Sequence, residues 1–265
     1  MAAMNHAFEH GDSFAPLVQA LCDARRQGLA ADARAHMQAL HCEEDAYAVQ
    51  RAVGAGLELF TDAVPRQWKS GGADRSSPLT HAPLPDAGVW TSPARAGAWP
   101  LRLRLVEAEI ALRLGADVTA RHADQMTHES AHAFIDAMAV SIEIVDTRWR
   151  QALEELPALL KLADMGVHGA LVLGEWMPYE RRDWQAQRCR IRIGQRDEET
   201  FTGTHSLADP AWLLPQWLRD VTRQFGTVPA GTVVTTGNWV GMLAGNAGDL
   251  VQVSFDGLGG ASLRL

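Results

Sequence analysis

The stretch Leu101-Arg102-Leu103-Arg104-Leu105-Val106-Glu107-Ala108-Glu109-Ile110-Ala111 decides the reading of this chain. Taken at strand period, Leu101, Leu103, Leu105, Glu107, Glu109 and Ala111 share one face. That face begins as core and then presents two carboxylates one pleat apart. The other face carries Arg102, Arg104, Val106, Ala108 and Ile110, so neither side is a plain solvent side. A strand that leaves the core carrying paired negative charge is the feature to be explained.

A third acid bears on the explanation. Glu143 lies in Val140-Ser141-Ile142-Glu143-Ile144-Val145-Asp146, among β-branched residues. An acid there is costly to bury unless it is paired or coordinates a cation. Two carboxylates about 7 Å apart on one strand face repel each other unless a cation or donors lie between them. Three glutamates from two strands form the oxygen-rich group that hard divalent cations such as Mg²⁺ take. The plain alternative is a strand end that reaches water with hydrated acids.

Around these strands the chain of 265 residues, 47% hydrophobic and 21% charged, has the composition of a globular protein with a substantial core. A net charge of -8 argues against a nucleic-acid surface or an anionic membrane as partner. No run is long and apolar enough to span a bilayer, and Met1–Asp12 has no basic segment leading into an apolar one. Cys22, Cys42 and Cys189 have no disulfide or metal-knuckle spacing. A reduced, cytoplasmic protein is expected.

Residues 14–60 read as helices, with stripes at Leu17, Leu21 and Ala24 and at Ala46, Val49, Gln50 and Val53. Residues 70–100 are dense in Gly, Pro and Ser and read as a long loop with short extended pieces, the least ordered part and a lid. Thr127 predicts the cap of a helix carrying Ala133, Phe134, Ala137 and Met138. Strands are expected at 141–146, 169–174, 188–193 and in three tail segments, and a helix at 210–226. The sum is an α+β protein, helices first and a β-rich body after.

Other residues admit two readings. His128-Glu129-Ser130-Ala131-His132 matches H-E-x-x-H, a zinc pattern on a helix. Polar residues upstream and the Thr127 cap in the first turn weigh against it. Lys69 reads as a loop-entrance lysine, Asp164 as a turn or capping acid, and His81 and His168 as solvated or backbone-bonded histidines.

The segments Asp45–Gln50, Trp68–Gly72, Val106–Gly115, Ser141–Asp146, Gly169–Gly174, Gly231–Trp239 and Ala247–Leu265, in this order, resemble the 2-keto-4-pentenoate hydratase branch of the fumarylacetoacetate hydrolase superfamily. Its most specific element is E-x-E followed about thirty residues on by E-[IV]-V-D. The resemblance implies an N-terminal helical segment over 1–64 and a catalytic domain over 65–265 folded as a β-rich mixed roll. It implies Mg²⁺ or Mn²⁺ on Glu107, Glu109 and Glu143, and catalytic roles for Lys69 and Asp164. It places substrate contacts at Thr236 and in the altered loop at Ser70 and His81. It further implies a short 2-oxo acid as substrate, a metal-stabilised enolate, and a homo-oligomer of two or more copies, for which nine tryptophans suggest aromatic surface. Departures from the family pattern fall after Lys69 and at Met165-Gly166-Val167, both in substrate-contacting loops. The expected activity is a hydratase of the 2-oxopent-4-enoate type. A 4-oxalocrotonate-type decarboxylase and an acylpyruvate hydrolase are the near alternatives, and a non-catalytic partner subunit is the distant one.

Overall fold

A computed structural model describes residues 14–265. Contacts divide the chain into two compact units, one formed by residues up to Leu59 together with Thr147–Val167, the other by Phe60–Asp146 and His168–Leu265.

The first unit is helical. Helix α1 (Ala15–Gln27) has Pro16 in its first turn, buries Leu17, Leu21, Cys22 and Ala24, and stops at Gly28, whose φ of 67° suits glycine. Helix α2 (Glu43–Gly56) opens with Glu43, Glu44 and Asp45, and the Asp45 carboxylate accepts from the His41 and Cys42 amides. Its buried stripe is Ala46, Val49, Gln50 and Val53, as its spacing predicts. The inserted piece Thr147–Val167 belongs to the same unit. The Gln50 amide donates to the Leu162 carbonyl at 2.6 Å, and Ala31 pairs with Trp149 in a β-bridge.

The second unit is β-rich. Its strands are β1 (Gln67–Gly71), β2 (Thr80–Pro83), β3 (Val89–Thr91), β4 (Ala94–Arg95), β5 (Leu105–Leu114), β6 (Val118–Thr119), β7 (Ile135–Val145) and β8 (His168–Leu173). They continue as β9 (Met177–Pro178), β10 (Arg188–Ile193), β11 (Glu199–Thr202), β12 (Thr227–Val228), β13 (Val233–Thr235), β14 (Leu243–Ala244), β15 (Leu250–Phe255) and β16 (Gly259–Arg264). The large mixed sheet runs β2-β1-β13-β5-β7-β8-β3, with β14 on β5 and β9 on β7; the smaller runs β11-β10-β15-β16-β4. Helix α3 (Ala120–Gln125), the one-turn α4 (His128–Ala131) and helix α6 (Leu214–Phe225) belong to this unit, and α5 (Ala158–Ala163) to the helical one.

Three expectations need correction. The 127–138 segment is one turn of helix and a short 3₁₀ turn, after which Ala137 and Met138 lie in β7. An alanine-rich apolar run fits a helix stripe and a buried strand equally well, and the long pairing with β5 decides for strand. Leu101–Arg104 are not strand. The Asp146 carboxylate takes the Arg102 and Leu103 amides at 2.6 and 3.1 Å, and Arg104 turns through φ 53°. The 70–100 segment is no open loop: β2, β3 and β4 pair with β1, β8 and β16, and Ala82, Leu84 and Ala96 are buried. Its most exposed stretch is the turn at 72–79.

The core of this unit gathers Val106, Ala108 and Ile110 with Trp68, Trp217 and Trp239. Of the nine tryptophans, Trp68, Trp149, Trp184, Trp217 and Trp239 are buried. The rest are half-buried.

Candidate metal centre

The pairing of β5 with β7 places Glu107 directly opposite Glu143 and Glu109 opposite Ser141. Directly opposed like charges destabilise a sheet when nothing lies between them. Glu109 and Glu143 are 3% and 0% exposed, so water cannot screen them. One ligand oxygen from each of Glu107, Glu109 and Glu143 lies within 4.8 Å of the others.

Each carboxylate is oriented by a neighbour. The Asn238 amide donates to Glu107 Oε1 at 2.9 Å, and the Thr235 hydroxyl donates to Glu109 Oε2 while sharing a 2.8 Å bond with Ser141. Glu143 Oε1 meets Lys69 Nζ at 2.6 Å and His168 Nδ1 at 3.0 Å. Its other oxygen, Oε2, is buried without a hydrogen-bond partner.

The charge is unbalanced. Burial, with repulsion from Glu143, pushes the Glu107 carboxyl up to about 7. Burial, with repulsion from Glu143 and Glu107, pushes Glu109 up to about 8. Burial also works against a charged Glu143, but attraction to Lys69 and the bond to His168 outweigh it and hold this carboxyl below its ordinary range. For Lys69, burial opposes the ammonium, and the three glutamates outweigh it, so the amine is raised. Three acids therefore face one lysine, with an unsatisfied buried oxygen among them. That donor set fits a divalent, oxygen-preferring cation, which would be held by Glu107, Glu109 and Glu143.

Of the sequence-predicted residues, Lys69 joins the group. Its neighbour Ser70 does not: strand alternation turns Ser70 to the opposite face, where it pairs with His81 and where the His81 ring lies 5.9 Å from Trp68. Burial pushes the His81 imidazole down to about 4, as suits a core histidine. Thr236 is displaced by one residue from the useful face. Its hydroxyl donates to the Ile110 carbonyl at 2.7 Å, and Thr235, in register with Lys69, reaches Glu109. Asp164 lies in the helical unit. Its carboxylate accepts from Arg148 Nε at 2.5 Å, Arg25 at 3.3 Å, the Arg148 amide at 2.8 Å and the Thr147 hydroxyl at 3.0 Å.

Sequence reasoning passed over Thr235 and Asn238, both inside the Gly231–Trp239 segment, and read His168 as solvated or backbone-bonded, whereas it is 1% exposed and bonds to Glu143. The H-E-x-x-H match dissolves. His128 stacks on Trp212 with centroids 3.5 Å apart, His132 bonds to the Tyr179 hydroxyl at 2.5 Å, and Glu129 pairs with Arg181.

The model of the fumarylacetoacetate hydrolase C-terminal family matches residues 65–265, and the chain belongs to that family. The 2-keto-4-pentenoate hydratase 1 of Dechloromonas aromatica (strain RCB) is 32% identical over 163 residues, 59% of this chain and 58% of that protein. The match thus spans less than two thirds of the hydratase. In fold, the chain is similar to 4-oxalocrotonate decarboxylase from Pseudomonas putida G7, complexed with magnesium and adipate, at TM-score 0.79 and 18% identity over 94% of this chain and 95% of that one. It is also similar to fumarylpyruvate hydrolase from Pseudomonas aeruginosa, in complex with Mn²⁺ and pyruvate, at TM-score 0.50 and 19% identity over 76% and 89% of the two chains.

Proposed function

We propose that this member of the fumarylacetoacetate hydrolase family is a divalent-metal-dependent enzyme on a short 2-oxo acid, a hydratase of the 2-oxopent-4-enoate type. The observation that carries the reading is the convergence of Glu107, Glu109 and Glu143 beside Lys69, with two of the acids forced towards neutrality. Mg²⁺ or Mn²⁺ held there would act as a Lewis acid towards negative charge developing on the substrate. The magnesium complex of the Pseudomonas putida decarboxylase and the Mn²⁺ complex of the Pseudomonas aeruginosa hydrolase support the choice of ion.

The remaining work falls to the chain. Asn238, Thr235 and His168 fix the carboxylate oxygens, so the donor set is organised before ligand arrives. Lys69 Nζ, kept charged above all by Glu143, is placed to balance an anionic substrate and to give a proton at the reacting carbon. For Asp164, proton transfer rests on the family resemblance, whereas its two arginine partners favour anchoring.

Identity with the Dechloromonas aromatica hydratase supports hydration. The fold likeness to the decarboxylase over 94% of the chain supports decarboxylation as second reading. Cytoplasmic residence and a homo-oligomer of two or more copies belong to the same proposal. The test is a panel of 2-oxo acids with Mg²⁺ and with Mn²⁺, products identified by mass. Hydration adds one water, decarboxylation removes one carbon dioxide, and hydrolysis of an acylpyruvate gives two acids. Turnover of none of them, with metal bound, would favour the non-catalytic partner subunit.

A further inference from the structure

The residues that hold Glu107 and Glu109 come from the end of β13 and the chain just after it, which has little secondary structure of its own. Something else must fix it. The turn at Thr204–Leu207 does so at two points. His205 Nε2 bonds to the Thr236 carbonyl at 2.8 Å, and the Thr204 hydroxyl donates to the Trp239 carbonyl at 2.6 Å. Gly237 and Asn238 lie between the two points. The Asn238 side-chain nitrogen reaches Glu107, and its Oδ1 accepts from the Val240 backbone amide at 2.8 Å. The Trp239 amide donates to the Ala108 carbonyl at 2.9 Å, between the two glutamates of β5.

The histidine is built for this. It is 4% exposed, and the Leu207 amide donates to Nδ1 at 3.2 Å, which leaves Nε2 to carry the hydrogen. Burial pushes the ring down to about 4, so it stays neutral at ordinary pH. Gly237 has a φ of 104°, and a Cβ there would sit 3.6 Å from both His205 Nε2 and Ser206 Oγ. The turn is tied back in its own right. Arg75 Nε donates to the Leu207 carbonyl at 2.6 Å and its guanidinium lies 4.0 Å from the Trp212 ring. Arg75 belongs to the exposed turn that follows the strand of Lys69.

We propose that Thr204 and His205 are positioning residues of the cation site: by clamping the chain on both sides of Gly237-Asn238, they set where the Asn238 donor to Glu107 stands, and so set cation affinity. The proposal rests on the reading that the glutamates hold a divalent cation. Removing groups that orient metal-ligating carboxylates typically costs about 10–100-fold in affinity.

The test is calorimetric titration of the full chain with Mn²⁺ alone, with melting temperature measured alongside. His205→Leu and Thr204→Val are expected to weaken Mn²⁺ binding about tenfold or more. His205→Gln, whose amide nitrogen can stand where Nε2 stands, is expected to recover most of that affinity, and His205→Asn, too short to reach Thr236, is not. A purely structural role predicts lower melting temperatures with equal Mn²⁺ affinity in all four variants, and that result overturns the proposal. Should His205→Leu fail to fold, Thr204→Val and the contrast of Gln with Asn decide on the same readout. A wild-type chain that binds no Mn²⁺ overturns the metal reading and the clamp with it. A wild-type chain that binds, beside variants that bind equally, removes the clamp alone.

Discussion

Two buried groups of acids in this molecule are built on opposite principles. In the helical unit, Asp164 is a single carboxylate met by the guanidiniums of Arg25 and Arg148, the Arg148 amide and the Thr147 hydroxyl. In the β-rich unit, three carboxylates share one lysine, and Glu143 Oε2 lacks a hydrogen-bond partner. The first meets its one charge with two guanidiniums and fills its hydrogen bonds with protein groups, as a structural ion pair must. The second leaves a buried carboxylate oxygen without a hydrogen-bond partner, which costs stability and is where the proposed function puts the cation. Burial of an acid alone does not mark function; incomplete compensation does.

The largest expected effect tests whether the open group is catalytic. Lys69→Ala should retain Mn²⁺ binding by calorimetry and lower turnover about 10²–10⁴-fold. Lys69→Arg should recover little, because a guanidinium does not readily release a proton. Full turnover in Lys69→Ala would reduce the lysine to charge balance.

The closed group should answer in stability. Asp164→Asn leaves two largely buried arginines without their carboxylate, and loss of one partner of such a set costs about 3–5 kcal/mol. Denaturant melts should show that loss with Mn²⁺ affinity unchanged. A fall in turnover with no fall in stability would instead restore Asp164 as a proton shuttle and erase the contrast.

pH sharpens the comparison further. Glu107 and Glu109 have folded values, about 7 and about 8, raised above those of the unfolded chain. Their contribution to stability is complete below the unfolded carboxylate range and is lost as pH rises through 7 to 8. His81 and His205, depressed to about 4, act oppositely and only at lower pH, because both are neutral in either state once pH is well above 6.5. Melting temperature without divalent ion should therefore fall from pH 6.5 to 8.5, and saturating Mg²⁺ should flatten the slope. An equal slope with and without Mg²⁺ would separate the glutamates from any cation.

The smallest effect is the most diagnostic. Glu107→Gln removes one of two opposed charges and keeps the shape, so the metal-free chain should gain about 1 kcal/mol while losing cation affinity. Destabilisation of the metal-free chain would mean that the pair is already balanced within the protein.

Much of the open group was legible in sequence, because strand period alone puts Glu107 and Glu109 on one face and an acid among β-branched residues demands compensation. Its partners were less so. Thr235 and Thr236 differ by one step, and a single step exchanges faces; the pairing of Lys69 with Thr235 makes the choice, and no local pattern contains it. Ser70 follows the same rule, since a neighbour of Lys69 on a strand points away from what Lys69 touches. His168 read as a loop residue because its burial depends on Glu143, twenty-five positions earlier. The helix expected over 127–138 failed where an alanine-rich run fits both periods. The boundary between the units hid in the same way. Residues 147–167 carry no break in composition, and their contacts assign them to helices more than a hundred positions earlier.

That discontinuity has a consequence for how the chain folds. Helices α1 and α2 are complete in sequence by Gly56. The bond from Gln50 to Leu162, the Gln151 side-chain oxygen that takes the Ala33 amide, and the Arg25 pair with Asp164 all wait for residues beyond 147. During synthesis the first unit therefore has to wait, half-built, while β1 through β7 emerge. Until then its early helices lack these partners, which exposes them to chaperones and to mispairing with other nascent chains. Ribosome-bound chains halted before Thr147 should show protease-sensitive N-terminal helices, and chains halted well after Val167 should not.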